Sequence, residues 1–216
     1  MSSKKYDENC TATLCEIGYE DQVFSLTDEE EKDVKKPALL LHSCCGPCST
    51  AVVESLVKSY QITVYYYNPN ITDEKEYRKR RDVQAEFIGK FNSRIDSPDH
   101  ICFIEGEYDR DEFFTVSKGM EDAPEGGVRC IECFRLRLEH TAMYAMLHGF
   151  DVFTTTLSIS PHKDHESLRR IGGEIALRYG LVFLDEDFSR SYQRSVELSK
   201  LYGLYRQKFC GCDFAR

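Results

Sequence analysis

Five short apolar runs, separated by longer stretches of helical spacing, set the main limit on how this chain can fold. Residues 38–42 (ALLLH) and 62–67 (ITVYYY) are continuous apolar or β-branched segments, as strands buried on both faces require. Residues 101–104, 151–156 and 181–184 are weaker examples. Between and after them, residues 49–60, 74–91, 111–117, 130–148, 166–179 and 195–205 predict helices. In 130–148, Ile131, Phe134, Leu138, Ala142 and Ala145 share one stripe. The alternation predicts a three-layer α/β fold: a mainly parallel sheet with helices on both faces, Rossmann-like, forming a single domain over residues 37–216. Such sheets bind ligands beyond the carboxyl ends of their strands. The loop after His42, the Asn68-Pro69-Asn70 turn and the segment after Thr156 are therefore expected at one rim.

Residues 1–36 are polar, with 5 lysines against 10 acids, and read as an acidic extension whose ordering the sequence leaves open. No apolar stretch reaches membrane-spanning length and no leader follows the first lysines, so a cytoplasmic protein without a membrane partner is expected. Ten cysteines in that reducing compartment point to metal ligands or redox catalysts rather than staples. A net charge of −9 argues against indiscriminate nucleic-acid binding. Arg78-Lys79-Arg80-Arg81 and Arg169-Arg170 leave a local phosphate track open, against the ordinary reading of solvated helix faces.

Seven cysteines fall into three groups: Cys44-Cys45-x-x-Cys48, Cys130-x-x-Cys133 and Cys210-x-Cys212. Cys10, Cys15 and Cys102 stand alone and read as ordinary small residues. The first group contains Cys45-Gly46-Pro47-Cys48, the tetrapeptide of thioredoxins, at the start of an expected helix that would lower thiol pKa. A thiol–disulfide oxidoreductase explains only that group, and the chain has no Trp to precede it. Two thiolate pairs brought together can instead hold structural zinc or an iron–sulfur cluster. Adjacent Cys44 and Cys45 suit separate corners of a cluster better than one tetrahedral ion. Cys210-Gly211-Cys212 is either a strained, redox-active dithiol or an incidental pair. A zinc-stabilised RNA-binding module stays open on these residues. An ATP-dependent tRNA thiolase lacks its glycine-rich phosphate loop here.

The ordered set HSCCGPC, YYNPNITDEKEYRKR, RCIECFRLRL, FTTTLSISPHKD and terminal CGC resembles the QueH type of epoxyqueuosine reductase over residues 38–212. The resemblance implies reductive removal of the epoxide oxygen of epoxyqueuosine, at the tRNA wobble position, to give queuosine. It implies a 4Fe–4S cluster on Cys44, Cys45, Cys130 and Cys133, and a redox-active disulfide between Cys210 and Cys212. A second metal ion, iron, is expected beside the cluster, with Cys48 as its candidate ligand. The partners expected are tRNA carrying epoxyqueuosine and an electron donor of the ferredoxin or flavodoxin kind.

The leaving oxygen needs an acid, for which His162, Lys163 and Asp164 are candidates. Their other reading is a turn at Ser160-Pro161 followed by a capped helix. Tyr67, Asn68 and Asn70 read either as a strand-ending turn or as contacts to the modified base, with Thr155, Thr156 and Ser160 beside them. Tyr77, Arg78 and Arg81 are expected to meet the anticodon loop by stacking and phosphate pairing. Arg135 and Arg137 are placed to contact phosphate or tune the cluster.

Overall fold

Leu39, Leu40 and Leu41 explain why the first strand sits inside the sheet. Leu39 and Leu41 point into one apolar core and Leu40 into another, so the strand needs cover on both faces. The computed structural model describes residues 36–95 and 99–215. The expected extension, apart from Lys36, and with it Cys10 and Cys15, lies outside the described residues.

Five parallel strands, β1 (Ala38–His42), β2 (Gln61–Tyr66), β3 (Cys102–Glu105), β4 (Val152–Thr155) and β5 (Val182–Phe183), lie in the order β3-β2-β1-β4-β5. Helices α1 (Gly46–Leu56), α2 (Glu74–Asn92) and α6 (Tyr192–Leu201) cover one face through Val52, Phe87 and Leu198. On the other, α4 (Val128–Leu147) and α5 (His165–Tyr179) pack Leu138, Ala142 and Ile171 against Leu40 and Phe153. A shorter helix, α3 (Arg110–Ser117), packs beside α4. This is the three-layer α/β fold expected.

The chain runs outward from β1 through β2 to β3, then returns to add β4 on the other side of β1. That reversal opens a crevice where the carboxyl ends of β1 and β4 diverge, the usual ligand position in doubly wound sheets. In register, His42 ends β1 opposite Thr155 at the end of β4. The cysteine loop follows the first of these residues, and Thr156 to Lys163 follow the second.

Candidate functional site

The first cysteine group turns from strand to helix within three residues. Ser43 donates its N–H to Tyr65 O at 2.9 Å, and α1 begins at Gly46 with Pro47 in its first turn. Cys45 is the N-cap, its sulfur accepting the Cys48 N–H at 3.4 Å. Below, the hydroxyls of Ser43 and Ser49 meet each other and Gln84 Oε1, and each donates to Cys45 O at 3.2 Å. Gly46 has a steric reason: a Cβ there would lie 2.8 Å from the Val83 carbonyl of α2.

The sulfurs of Cys44, Cys45 and Cys48 all lie within 4.8 Å of one another, with 3.9 Å between Cys44 and Cys45 and 2.9 Å between Cys45 and Cys48. Thiol donors from Cys45 and Cys48 hold Cys44 well below the ordinary cysteine pKa, against burial and with help from Arg137. Burial pushes Cys45 up to about 12, and Cys48 rises because Cys44 and Cys45 compete for the same charge. Crowded soft sulfurs that share one negative charge can hold a metal ion, which relieves the competition by replacing their protons.

The second bank faces a small cavity. Cys130 and Cys133, on the first turns of α4, line it with Cys210, Cys212, Phe113, Arg129, Phe134, Arg137 and Lys163. The Cys210–Cys212 segment is held from below. Arg80 donates to Cys210 O at 2.9 Å and Phe209 O at 3.2 Å, and Thr72 N–H donates to Gly211 O at 3.2 Å. Near the sulfur of Cys210 lie Asn70 Nδ2 at 3.9 Å and Lys163 Nζ at 4.0 Å. Asn70 Oδ1 is buried with no hydrogen-bond partner. Burial works against the Lys163 charge, but Cys210, Cys44 and Cys133 outweigh it and raise the pKa of that ammonium. Lys163 thus answers to sulfurs of both banks. All seven of these cysteines are free thiols. The donor set, thiols without an intervening carboxylate or imidazole, fits an iron–sulfur or other soft-metal centre.

Other expected site residues divide. Thr156 Oγ1 accepts the Cys44 N–H at 3.2 Å and approaches its sulfur at 3.5 Å. Thr155 Oγ1 lies 2.8 Å from His42 Nδ1, and Asn68 bridges Ser43 O and Arg137. Tyr67 is buried, stacks on His140 and donates its hydroxyl to Glu112. Asp164 realises the capped-helix reading: its carboxylate accepts from Glu166 N–H and the Ser167 hydroxyl at the start of α5. Ser160 closes the turn before it and accepts the N–H of exposed His162.

Two expectations need correction. Tyr77 is 2% exposed and stacked on Tyr108, so its ring belongs to a core and offers no platform to a nucleobase. Arg135 pairs with Glu132 and Glu174 on the surface, and the guanidinium near the sulfurs is that of Arg137 alone of the two. Arg78 and Arg81 remain on the outer side of α2, paired with Glu74, Asp82 and Glu105. Cys102 heads β3 and is half-buried.

Residues the sequence reading missed are His42, Ser43, Thr72, Arg80, Gln84 and Arg129. His42 is kept neutral by burial and by Arg137, which lower its pKa to about 3. Arg80 had a usable signal. It falls on the stripe of Tyr77, Gln84 and Phe87, the buried face of α2, whereas Arg78 does not.

A family model described as epoxyqueuosine reductase QueH matches residues 39–216. Among proteins of that name, one from Staphylococcus epidermidis is 37% identical over 92% of this chain and 84% of its own length. One from Streptococcus pyogenes is 38% identical over 92% of this chain and 78% of its own. A third, from Haemophilus influenzae, is 41% identical over 82% and 71%.

Proposed function

The chain belongs to the epoxyqueuosine reductase QueH family, and we propose that its two cysteine banks hold the redox centre of that reaction. The chain is an oxidoreductase of queuosine synthesis: it reduces epoxyqueuosine at the tRNA wobble position to queuosine. The thioredoxin-like and zinc-module readings yield to that membership. The observations that support the placement of the centre are the crowded sulfurs of Cys44, Cys45 and Cys48, the cavity lined by Cys130, Cys133, Cys210, Cys212 and Lys163, and the electrostatic reach of Lys163 to Cys44, Cys133 and Cys210.

Removing the epoxide oxygen as water consumes two electrons and two protons and leaves a carbon–carbon double bond. A 4Fe–4S centre on Cys44, Cys45, Cys130 and Cys133, with a second iron at Cys48, would supply low-potential electrons and a Lewis acid. The protein's own residues do the rest. Lys163 keeps a proton at Nζ beside the Cys210 sulfur, where a developing alkoxide needs one. Asn70, with an unused buried oxygen, is the amide left to hold a hydroxyl of the substrate. Cys210 and Cys212, clamped by Arg80 and Thr72, give two electrons and two protons when they close to a disulfide, and an external donor of the ferredoxin or flavodoxin kind restores them. Residues 37–216 form the catalytic domain and residues 1–36 an extension. Arg78 and Arg81 take phosphates of the anticodon stem-loop, which requires them to exchange surface carboxylates for the nucleic acid. The helices of the described residues include none long and apolar enough to cross a membrane, and a tRNA substrate places the work in the cytoplasm.

The test is reconstitution with iron and sulfide under nitrogen, followed by reductant and epoxyqueuosine-containing tRNA, with queuosine read by mass spectrometry. Loaded protein that makes no queuosine would defeat the reading. Loss of both cluster and product in Cys44→Ser and Cys133→Ser would support the ligand set.

A further inference from the structure

Arg137 poses a physical problem that the reaction above leaves unused. It lies one helical turn beyond Cys133 on the same face of α4, is only 2% exposed, and lines the cysteine cavity. A guanidinium does not lose its proton at any working pH, so the charge is permanent. Its close polar neighbours carry no charge: Asn68 Oδ1 accepts at 2.6 Å, and His42 Nε2, itself 3.1 Å from Tyr67 O, lies 3.3 Å away. Among the described residues no carboxylate pairs with it. A buried ion without a counter-ion costs several kcal/mol, and a fold that keeps one has an anion elsewhere to offset it. It faces sulfurs and, in the same cavity, the Lys163 ammonium, and its charge favours the thiolate form of both Cys44 and Cys133.

The guanidinium is also held firmly in place. Asn68 is fixed by its bond to Ser43 O at 2.9 Å, and His42 by Thr155 Oγ1 at 2.8 Å. The first two strands and β4 each contribute one element of this clamp at their carboxyl ends. The cation therefore points at the crevice from the rigid floor of the sheet. Lys163, by contrast, hangs from a turn beyond β4.

We infer that Arg137, clamped by His42 and Asn68, is the fixed counter-charge of the sulfur-bound redox centre and sets how readily that centre accepts an electron. The inference rests on the reading that the basin carries an iron–sulfur centre. Arg137 touches no reacting atom and is a positioning residue acting through the sulfurs. A positive charge beside the centre lowers the energy of its reduced, more negative state, so removing that charge makes the centre harder to reduce.

The experiment uses the full chain, loaded with iron and sulfide, in the parent form and as Arg137→Gln and Arg137→Lys. Iron and sulfide content, circular dichroism and the midpoint potential from spectroscopically monitored titration are recorded. At a fixed potential, Arg137→Gln should show about a tenfold lower ratio of reduced to oxidised centre, which is 59 mV for a one-electron couple. Arg137→Lys should stay close to the parent. A loaded Arg137→Gln with unchanged potential would overturn the inference. If Arg137→Gln cannot be loaded, Arg137→Lys decides: loading at the parental potential supports a role for charge, and failure of both shows that the shape of the side chain, not its charge, matters. A parent protein that takes up no iron and sulfide defeats the earlier reading of the basin instead, and is seen before any variant is compared.

Discussion

Asp164 and Arg80 show how the same kinds of residue take unlike roles. Asp164 is exposed and spends its carboxylate on the first turn of α5, where the Ser167 hydroxyl, against slight burial, lowers its pKa. A depressed carboxylate stabilises the fold above its ordinary pKa and loses that effect as pH falls through its folded value. Asp164→Ala should cost about 1 kcal/mol in denaturant unfolding at neutral pH, and Asp164→Asn much less, because both Asp and Asn cap well. Queuosine formation by loaded Asp164→Asn should match the parent; a large loss would return the residue to the catalytic set. Arg80 is buried, paired with Glu76 at 2.7 Å and bonded to two carbonyls of the Cys210 segment. Arg80→Ala should cost about 3 kcal/mol, as breaking a buried pair does. It should also speed alkylation of Cys210, measured by mass spectrometry against the parent. The cysteines were legible at this scale because their type carries their chemistry. His42 and Asn68 were harder, since a neutral residue that orients another looks like any strand end.

The elements were read well where hydrophobic period alone decides, and less well where caps decide. β1 lies where its apolar run lies, and α2 begins at Glu74 as expected behind the Asp73 cap. Helix α1 starts at Gly46, three residues before its expected start, because a sulfur fills the capping place usually given to oxygen and Pro47 accepts the first turn. Helix α6 was expected over 195–205 but spans Tyr192–Leu201; Gly203, at φ 66°, takes the left-handed turn that stops it. The contact between α1 and α2 gives a prediction of its own. Gly46→Ala places a methyl against the Val83 carbonyl, and backbone cannot step aside as a side chain does. The helices should part at the cysteine turn, lowering stability by about 1–3 kcal/mol. Iron uptake by the folded variant should fall; full uptake would show that α2 does not position the sulfurs.

Strand order is the feature of the whole molecule that a linear reading could not supply. Alternating strands and helices imply a doubly wound sheet, but only the order β3-β2-β1-β4-β5 puts the loops after β1 and β4 on the two lips of one crevice. That order brings together cysteines from three distant stretches of chain. A ligand that binds only this arrangement stabilises the fold by mass action, by about 4 kcal/mol at a thousandfold excess over its dissociation constant. Loading with iron and sulfide should therefore raise the thermal midpoint, chelation should reverse the rise, and Cys44→Ser should remove most of it. An unchanged midpoint in fully loaded protein would mean that the banks do not share the centre. One small feature makes occupancy readable at a single atom. The Cys48 amide hydrogen rests on the sulfur of Cys45; a metal that replaces the Cys45 proton leaves that sulfur a more negative acceptor, so the hydrogen should exchange with deuterated solvent more slowly in loaded protein, and its isotope clock reads the state of the metal.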